Sequence, residues 1–379
     1  MTVRVCIVVL NTFTGDSRVE KTARTLACAG ADVSVIALRS PGLPHEQRRD
    51  GYRIYRPTTA GRRGRKTVFA RAALFLRFLV RARRFVREAE VVWCNDLGAV
   101  VMARLWAITM LRKRRWIYDS HEFAINDCPN ESRLSVFSKW VLERLCIGVA
   151  DEVVCVSPSI ADEYARLYGI ARPHLVLNCP PFEERARSDR LRQALGLRLE
   201  QTLFLYQGIL SRGRGIEVAL DAFESMTDDS VVLVIMGSGE LELLIRERAS
   251  RSSRIRFHPA VSLAELPDWT GSADCGLILT EDSCLNHMWC LPNKLFQYLM
   301  AGVPVIAFGT LEVQRFVERN QIGIIAEPSD SSGLASAVRQ FVDSNFELDR
   351  DRLAALRRTY CWEQQEPLVT ALVRPAKCG

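Results

Sequence analysis

The chain has 379 residues, of which 48% are hydrophobic and 25% are charged, and this ordinary globular composition excludes a largely disordered chain. A single hydrophobic core seldom serves more than about 250–300 residues, so the length predicts two domains. The twelve cysteines include no C-x-x-C pair, which disfavours a disulfide scaffold or a zinc site and indicates reduced thiols.

The net charge of +7 is unevenly distributed along the chain. Residues 1–190 hold 32 basic and 20 acidic side chains, a net charge of +12, whereas the remainder carries a net charge of −5. Residues 51–87 contain 12 basic side chains and no acidic one. This stretch predicts an anionic neighbour: a membrane surface, a phosphorylated lipid or nucleic acid. Nucleic acid is disfavoured, because no known binding module is recognisable.

The first half alternates apolar runs, typical of buried parallel strands, with segments of helical periodicity. Strands are predicted at Val3–Leu10, Asp32–Leu38, Tyr52–Arg56, Val91–Cys94, Arg115–Asp119, Val153–Val156 and Leu175–Leu177, and helices at Ser17–Gly30, Lys66–Glu88, Leu97–Leu111 and Pro158–Tyr168. Such alternation predicts an α/β domain with a doubly wound parallel sheet.

A turn-rich, polar stretch from Asn178 to about Leu199 predicts the linker between the two domains. The alternation then restarts and predicts a second open α/β unit, with ligands at the carboxyl ends of its strands. Its strands are predicted at Leu203–Gln207, Val231–Met236, Ile255–Phe257, Cys275–Leu279, Val303–Phe308 and Gly323–Ala326. The last helical segment, Trp362–Leu372, is expected to pack back on the first domain.

A glycine pair follows the strand predicted at Val231–Met236. Gly237 and Gly239 precede a helical run, and a strand, a glycine turn and a helix N-terminus together form an anion cradle of backbone N–H groups. A dinucleotide-binding fingerprint would have a third glycine where Glu242 stands, which disfavours NAD binding. The alternative interpretation is a tight turn without a ligand.

A second glycine-rich loop, Gly208–Gly215 with the sequence GILSRGRG, also follows a predicted strand. It carries Arg212 and Arg214 at the carboxyl edge of the sheet, where guanidinium groups can neutralise a diphosphate bidentately. The alternative interpretation is that both arginines are solvated loop charges.

The run Leu291–Ile306, with the sequence LPNKLFQYLMAGVPVI, resembles the signature of retaining glycosyltransferases of family 4, which have the GT-B fold. Other segments resemble elements of that family in chain order: Asp16–Val19 (DSRV), Tyr118–Glu122 (YDSHE), Ala150–Ser157 (ADEVVCVS), Asn178, Arg214–Gly215, and the pair Gly237 and Gly239. The resemblance spans nearly the whole chain.

The resemblance implies two Rossmann-like, doubly wound parallel-sheet domains that face each other across a cleft. Residues 1–185 are expected to bind the acceptor, with residues 360–379 packing back on them, and residues 200–355 are expected to bind the donor. The implied reaction transfers a sugar from a nucleotide-diphosphate sugar with retention of the anomeric configuration. No cofactor and no bound metal are expected.

The resemblance also implies roles for individual residues. His121, Arg214 and Lys294 are expected in catalysis, where basic side chains stabilise the leaving diphosphate. The residues expected to bind the donor are Gly208, Arg212, Gly237, Gly239, Asn286, Asn293 and Gln297. The residues expected on the acceptor side are Asp16, Arg18, Asp96 and Glu122.

Three positions depart from the pattern of the family. Where the family often has two glutamates eight positions apart, this chain has Trp289 and Gln297, and the first basic position of the diphosphate loop is Ile209. The residues expected to compensate are Glu281, Asp282 or Asn286. These departures leave two alternatives open. One is an inactive GT-B module that binds nucleotide or a partner, and the other is a GT-B epimerase that acts on the nucleotide sugar itself.

The basic stretch and the family together predict a glycan or lipid-linked saccharide as acceptor, in the synthesis of bacterial surface polysaccharides. The expected contacts with an anionic membrane surface are Arg62–Arg87 and Arg112–Arg115. The N-terminus lacks the pattern of a signal peptide, and arginines interrupt the longest apolar stretches. A cytoplasmic protein, peripheral on the inner membrane face, is therefore expected.

Overall fold

The structure is a computed structural model that describes residues 2–59, 68–110 and 112–374. The predicted beginning of the basic helix at Lys66 and the arginines Arg62, Arg63 and Arg65 lie outside the described residues, as does Leu111. In the described part of the chain, no helix is both long and apolar enough to cross a membrane.

The chain divides into two compact units. The first unit comprises Met1–Asn126, Glu131–Val176 and Gln365–Gly379, and the second comprises Asp127–Asn130 and Leu177–Gln364. Each unit has its own sheet and its own hydrophobic core.

In the described residues of the first unit up to Val176, there are eight strands and five α-helices. In chain order these are β1 (Arg4–Val8), α1 (Ser17–Cys28), β2 (Asp32–Arg39), β3 (Glu46–Arg49), β4 (Tyr52–Thr59), α2 (Val68–Glu88), β5 (Val91–Asn95), α3 (Asp96–Thr109), β6 (Arg115–Ser120), α4 (Arg133–Cys146), β7 (Glu152–Cys155), α5 (Pro158–Tyr168) and β8 (His174–Leu175). The strand order is β3-β4-β2-β1-β5-β6-β7-β8, and all pairs are parallel except β3–β4. The order reverses between β1 and β5, which is where ligands bind in such sheets.

The second unit repeats the architecture with six parallel strands. Its elements are α6 (Arg190–Leu195), β9 (Thr202–Ile209), α7 (Ile216–Ser225), β10 (Val231–Ser238), α8 (Glu242–Arg251), β11 (Ile255–Pro259), α9 (Leu266–Thr270), β12 (Cys275–Ile278), α10 (Leu285–Trp289), α11 (Asn293–Ala301), β13 (Val305–Phe308), α12 (Leu311–Asn320), β14 (Gly323–Ala326), α13 (Ser331–Asp343) and α14 (Arg350–Thr359). The strand order is β11-β10-β9-β12-β13-β14, so the switch point lies between β9 and β12.

The last helix, α15 (Glu366–Val373), belongs to the first unit. It packs against α1, and the carboxylate of Glu366 accepts a hydrogen bond from the hydroxyl of Thr25 at 2.9 Å. Val369 and Leu372 are buried.

The elements that the sequence pattern does not predict include β3, α4 and α6. Strand β3, with the sequence EQRR, is polar because it lies at the edge of the sheet, where β4 pairs with one side of it. The helix α4 is absent from the prediction as well. The segment Asn178–Leu199, predicted as a linker, contains α6, whose Leu191 is buried in the core of the second unit.

A buried carboxylate connects α4 and α5 to strand β6. Glu143 is fully buried and accepts hydrogen bonds from the hydroxyls of Tyr118, Tyr164 and Tyr168 at 2.5, 2.7 and 2.6 Å. Burial raises the pKa of Glu143, and the three hydroxyls oppose that rise. These bonds position the carboxyl end of β6, because Ser120 in turn hydrogen-bonds the hydroxyl of Tyr164.

Candidate functional site

The candidate site residues form two clusters, one in each unit, and each lies at the carboxyl edge of its sheet. In the second unit the cluster consists of the loops after β9, β10 and β12, together with the N-terminus of α11. These loops flank the switch point between β9 and β12. The sequence predicted this location from its two glycine-rich turns.

The glycines of these turns allow two loops to touch through their backbones. A Cβ atom on Gly237 would lie 1.9 Å from the carbonyl oxygen of Gly208, and one on Gly239 would lie 2.3 Å from that of Leu210. The N–H of Leu210 also donates to the carbonyl of Ser238 at 3.0 Å. The close contacts that explain both glycines are therefore made with the end of β9, for Gly237, and with the β9–α7 loop, for Gly239. Their approach to a nucleotide stays a prediction.

Arg214 and Lys294 place two cations together above the end of β9. The ammonium group of Lys294 lies 3.7 Å from the ring centroid of Tyr206, a cation–π contact. Burial and the nearby positive charge of Arg214 lower the pKa of Lys294 to about 7. Among the residues that the structure describes, neither cation pairs with a carboxylate. Such an uncompensated pair has a high affinity for an anion.

The rest of the loop is held by carboxylates. Arg212 is exposed and its guanidinium lies 3.8 Å from the carboxylate of Glu217. Glu281, one of the residues expected to compensate for the missing glutamates, accepts from the N–H of Gly215 at 3.3 Å and donates its own N–H to the carbonyl of Gly213 at 3.2 Å. Glu281 thus fixes the loop at the N-terminus of α7, where a negative charge is stabilised by the helix dipole.

Gln297 is engaged inside the unit. Its side-chain oxygen accepts from the amide of Gln207 at 2.8 Å, and Gln207 accepts from the hydroxyl of Thr270 at 2.8 Å. The group that Gln297 can still offer a ligand is its amide nitrogen. Asn293 is exposed at the first position of α11, whereas Asn286 is buried on α10.

His287 is a residue of this cluster that sequence reasoning missed. It is buried on α10, its Nδ1 lies 2.9 Å from the hydroxyl of Ser283, and its ring lies under Gly213. Burial and the charge of Arg214 lower its pKa, so the ring is neutral at pH 7. Its position shortly before Lys294 in the sequence was the available signal.

In the first unit, the cluster is built on a buried ion pair at the end of β6. Arg18 donates to both carboxylate oxygens of Asp119, with the shortest contact at 2.7 Å, and to the carbonyl of Val176 at 2.6 Å. The indole of Trp93 also donates to Asp119, at 3.1 Å. Burial alone would raise the pKa of Asp119, but Arg18 and His121 hold it well below its usual range.

His121 lies at the end of β6, among acidic and amide side chains. Its Nε2 is 3.0 Å from the Oδ1 atom of Asn95 and 3.6 Å from a carboxylate oxygen of Asp119, and its Nδ1 is 3.8 Å from Asp96. Burial lowers the pKa of His121, but the two carboxylates outweigh it and the net shift is upward. His121 is therefore a good proton-bearing donor for an oxygen of a ligand.

The other predicted acceptor-side residues surround this cluster. Asp96 has a φ of 63°, a left-handed conformation that is rare for residues other than glycine and that concentrates at functional sites. Asp16 caps α1 by accepting from the N–H of Val19 and also binds the amide of Asn11. Arg18 is buried in the pair with Asp119, so its guanidinium acts through that carboxylate. The side chain of Glu122 is exposed.

Two family models match successive parts of the chain. The model for a "Glycosyl transferase 4-like domain" matches residues 15–181, and the model for "Glycosyl transferases group 1" matches residues 201–344. Together they cover both candidate clusters.

Among curated proteins, the chain is similar to WcaI of Escherichia coli (strain K12), which carries the provisional name of a colanic acid biosynthesis glycosyl transferase. The two are 25% identical over 217 residues, which are 52% of this chain and 51% of WcaI. The chain spans about half the length of the curated relatives it matches.

Two solved structures show the fold. Sucrose-phosphate synthase from Thermosynechococcus elongatus has a TM-score of 0.81 at 16% identity, with 98% of both chains covered. Anabaena HepE in complex with UDP-glucose has a TM-score of 0.69 at 13% identity, also with 98% of both chains covered. The predicted GT-B fold, with two α/β parallel-sheet domains, is confirmed.

The contact between Asp96 and His121 leads to a prediction. Asp96→Asn keeps the shape of the side chain and removes a negative charge 3.8 Å from Nδ1, so the pKa of His121 should fall. An NMR pH titration of the His121 ring measures this. Asp162→Asn, at an exposed carboxylate elsewhere in the unit, is the matched control and should leave the pKa unchanged. An equal titration in both variants would show that Asp96 does not act on His121.

Proposed function

We propose that this glycosyltransferase of the GT-B fold transfers a sugar from a nucleoside-diphosphate sugar to a glycan or lipid-linked saccharide. The observation that carries the donor assignment is the pair of cations Arg214 and Lys294, which have no carboxylate partner among the described residues. A diphosphate is the donor group that neutralises two such charges at once. The similarity of the fold to Anabaena HepE, whose structure was solved with UDP-glucose, supports the same assignment.

The proposed chemistry is electrostatic. As the bond from the anomeric carbon to the diphosphate breaks, negative charge grows on the leaving oxygen, and Arg214 and Lys294 stabilise it. Lys294 becomes fully protonated when the anion arrives, because an opposite charge raises the pKa of an amine. The two cations supply this stabilisation without a bound metal. We assign to His121 a hydrogen bond to the transferred sugar.

We further propose that the chain is a retaining enzyme of family 4 in the synthesis of bacterial surface polysaccharides. The first support is the run Leu291–Ile306, which holds Lys294 at the start of α11. The second is the similarity to WcaI, whose name refers to colanic acid biosynthesis. The relatives are named as transferases or synthases, which does not favour an inactive module or an epimerase.

The first prediction concerns donor binding. Thermal unfolding with UDP, GDP, ADP or CMP should show stabilisation by one diphosphate, of about 2.7 kcal/mol at a ligand concentration of about 100 times Kd. Arg214→Ala should weaken this binding about tenfold to a hundredfold, because a hydrogen bond to a charged group contributes about 1.5–3 kcal/mol. Arg319→Ala, at an exposed arginine of the same unit, is the control. No stabilisation by any nucleotide would contradict the donor assignment.

The second prediction concerns pH. Protonated Lys294 attracts the diphosphate, so affinity should be high below the lysine's pKa of about 7 and should fall as the pH rises through it. Lys294→Arg keeps the charge at every pH, so its affinity should follow only the titration of the nucleotide itself. Isothermal titration calorimetry across neutral pH compares the two proteins. Parallel pH profiles would show that the protonation of Lys294 does not control binding near neutral pH.

The third prediction concerns stereochemistry. When water takes the place of the acceptor, retention requires that the first free sugar released from an α-linked donor is the α anomer. Proton NMR during the first turnovers detects this anomer before mutarotation. Arg214→Ala should lower the hydrolysis rate. Release of the β anomer would reject the retaining assignment, and conversion of the donor to an epimeric nucleotide sugar would favour the epimerase.

A further inference from the structure

Three neighbouring helices of the first unit carry large apolar side chains on their outward faces. Fifteen large hydrophobic side chains are exposed in the described part of the chain, and nine of them lie on α2, α3 and α4. These helices hold only 49 residues, so the apolar exposure is concentrated on one part of the molecule. We call the outward sides of α2, α3 and α4 the three-helix face.

On α2, the exposed side chains form a stripe opposite the buried one. Leu76 and Val80 follow Phe69 by 7 and 11 positions, which places each of them within about 20° of Phe69 around a helix with about 3.6 residues per turn. Phe69 is 86% exposed, whereas Phe78, on the opposite side of the helix, is fully buried. Helix α2 therefore has two apolar sides, one that faces the core and one that is exposed.

The same arrangement occurs on the other two helices. On α4, Leu134 and Leu145 share a side that is opposite the fully buried Glu143, and Leu134 is 80% exposed. On α3, Ile108 is 70% exposed and lies opposite the buried Trp106. These exposed side chains do not pack in the interior of the unit, because each helix faces that interior with its opposite side.

The three helices that carry these stripes are direct neighbours. The indole of Trp106 on α3 donates to the carbonyl of Leu79 on α2 at 3.0 Å, and Arg83 on α2 donates to the carbonyl of Thr109 at 3.1 Å. Helix α3 also packs against α4. The three-helix face is therefore held together inside a single unit.

Basic side chains surround these apolar stripes. Exposed arginines on the same helices include Arg77, Arg84, Arg87, Arg104, Arg133 and Arg144. Arg87 continues the stripe of Phe69, Leu76 and Val80 after 18 positions, which is five turns. A surface that combines exposed apolar stripes with arginine side chains matches the boundary between the acyl chains and the headgroups of an anionic bilayer.

We propose that the three-helix face docks on an anionic lipid bilayer, with the apolar stripes inserted among the acyl chains and the arginines bound to lipid phosphates. This goes beyond electrostatic contact by the basic stretch, because it assigns binding to Leu76, Ile108 and Leu134. The proposal does not depend on the identity of the sugar donor. It deepens the proposed function by placing a lipid-linked acceptor at the first unit.

Charge complementarity favours a bilayer over the other partners of an apolar face. A second copy of this chain, bound through the same face, would bring arginines against arginines, which opposes association. Nucleic acid would match the charge, but branched aliphatic side chains such as Leu76, Ile108 and Leu134 do not stack on bases. An anionic bilayer satisfies both the charge and the apolar stripes.

Vesicle flotation with the full chain tests the proposal. The wild-type protein should float with vesicles of phosphatidylcholine and phosphatidylglycerol, and less with phosphatidylcholine alone. Changing Leu76, Ile108 and Leu134 to glutamine, one on each helix, should lower the partition coefficient about tenfold or more, which corresponds to about 1.4 kcal/mol. The matched control changes Leu199, Leu243 and Leu263, exposed leucines of the second unit, to glutamine and should float like the wild type.

A second pair of variants separates local from global charge. Replacing Arg84, Arg87 and Arg104 by glutamine should weaken binding to anionic vesicles by about fivefold for each arginine. The control variant replaces three exposed arginines of the second unit and should bind like the wild type. Its changes are Arg251→Gln, Arg319→Gln and Arg350→Gln.

Three outcomes would overturn the proposal. The first is that the wild type does not float at low salt, and the second is that the variant with glutamine at positions 76, 108 and 134 floats as well as the wild type. The third is that neither protein floats, while light scattering shows a dimer for the wild type and a monomer for that variant. Nucleotide-induced thermal shifts of every variant are measured in parallel. If they persist while flotation fails, the membrane proposal is wrong and the donor proposal stands.

Discussion

Close backbone contact at the carboxyl edge of the second sheet is the constraint on which the candidate donor site depends. A Cβ atom on Gly215 would lie 2.2 Å from the carbonyl oxygen of Leu279, and Gly237 is equally crowded by Gly208. A side chain on Gly215 would push the β9–α7 loop away from β12 and the residues that follow it, and one on Gly237 would push away the end of β9 that leads into this loop. That displacement would separate Arg214 from Lys294, and the site would lose the closely spaced positive charges that a diphosphate requires. The glycines therefore fix the positions of the loops, and Arg214 and Lys294 supply the positive charge.

The first unit reaches a charged site by a different route. A buried ion pair such as Arg18–Asp119 contributes little to stability by itself, because desolvation offsets the attraction between its charges. Removing one partner would cost about 3–5 kcal/mol, since the other charge would stay buried and unpaired. The pair is therefore well suited to hold one permanent negative charge beside His121. That charge, together with Asp96, raises the pKa of His121, whereas burial alone would lower it.

The alternation of strands and helices was predictable from the sequence because parallel strands are apolar on both faces, as in β1, β9 and β10. Helix α4 was missed because its apolar residues surround the helix: Leu134 and Leu145 are exposed while Cys146 is buried, so no single amphipathic stripe marks it. The bond between Gln297 and Gln207 was unpredictable for another reason, since it joins residues 90 positions apart. Local patterns identify the loop that carries a residue but not the partner that holds it.

Net charge and local charge have different meanings in this chain. Residues 191–379 carry a net charge of −5, yet they contain Arg214 and Lys294, so net charge does not predict where a diphosphate binds. The exposed arginines of the three-helix face act through water, where salt screens charges beyond about 8–10 Å. Lys294 is half-buried and its ammonium group lies against the ring of Tyr206, so it is in a medium of lower dielectric and is screened much less. The exposed arginines of the three-helix face are suited to attract the protein to an anionic bilayer, whereas Lys294 is suited to bind a phosphate group in one geometry.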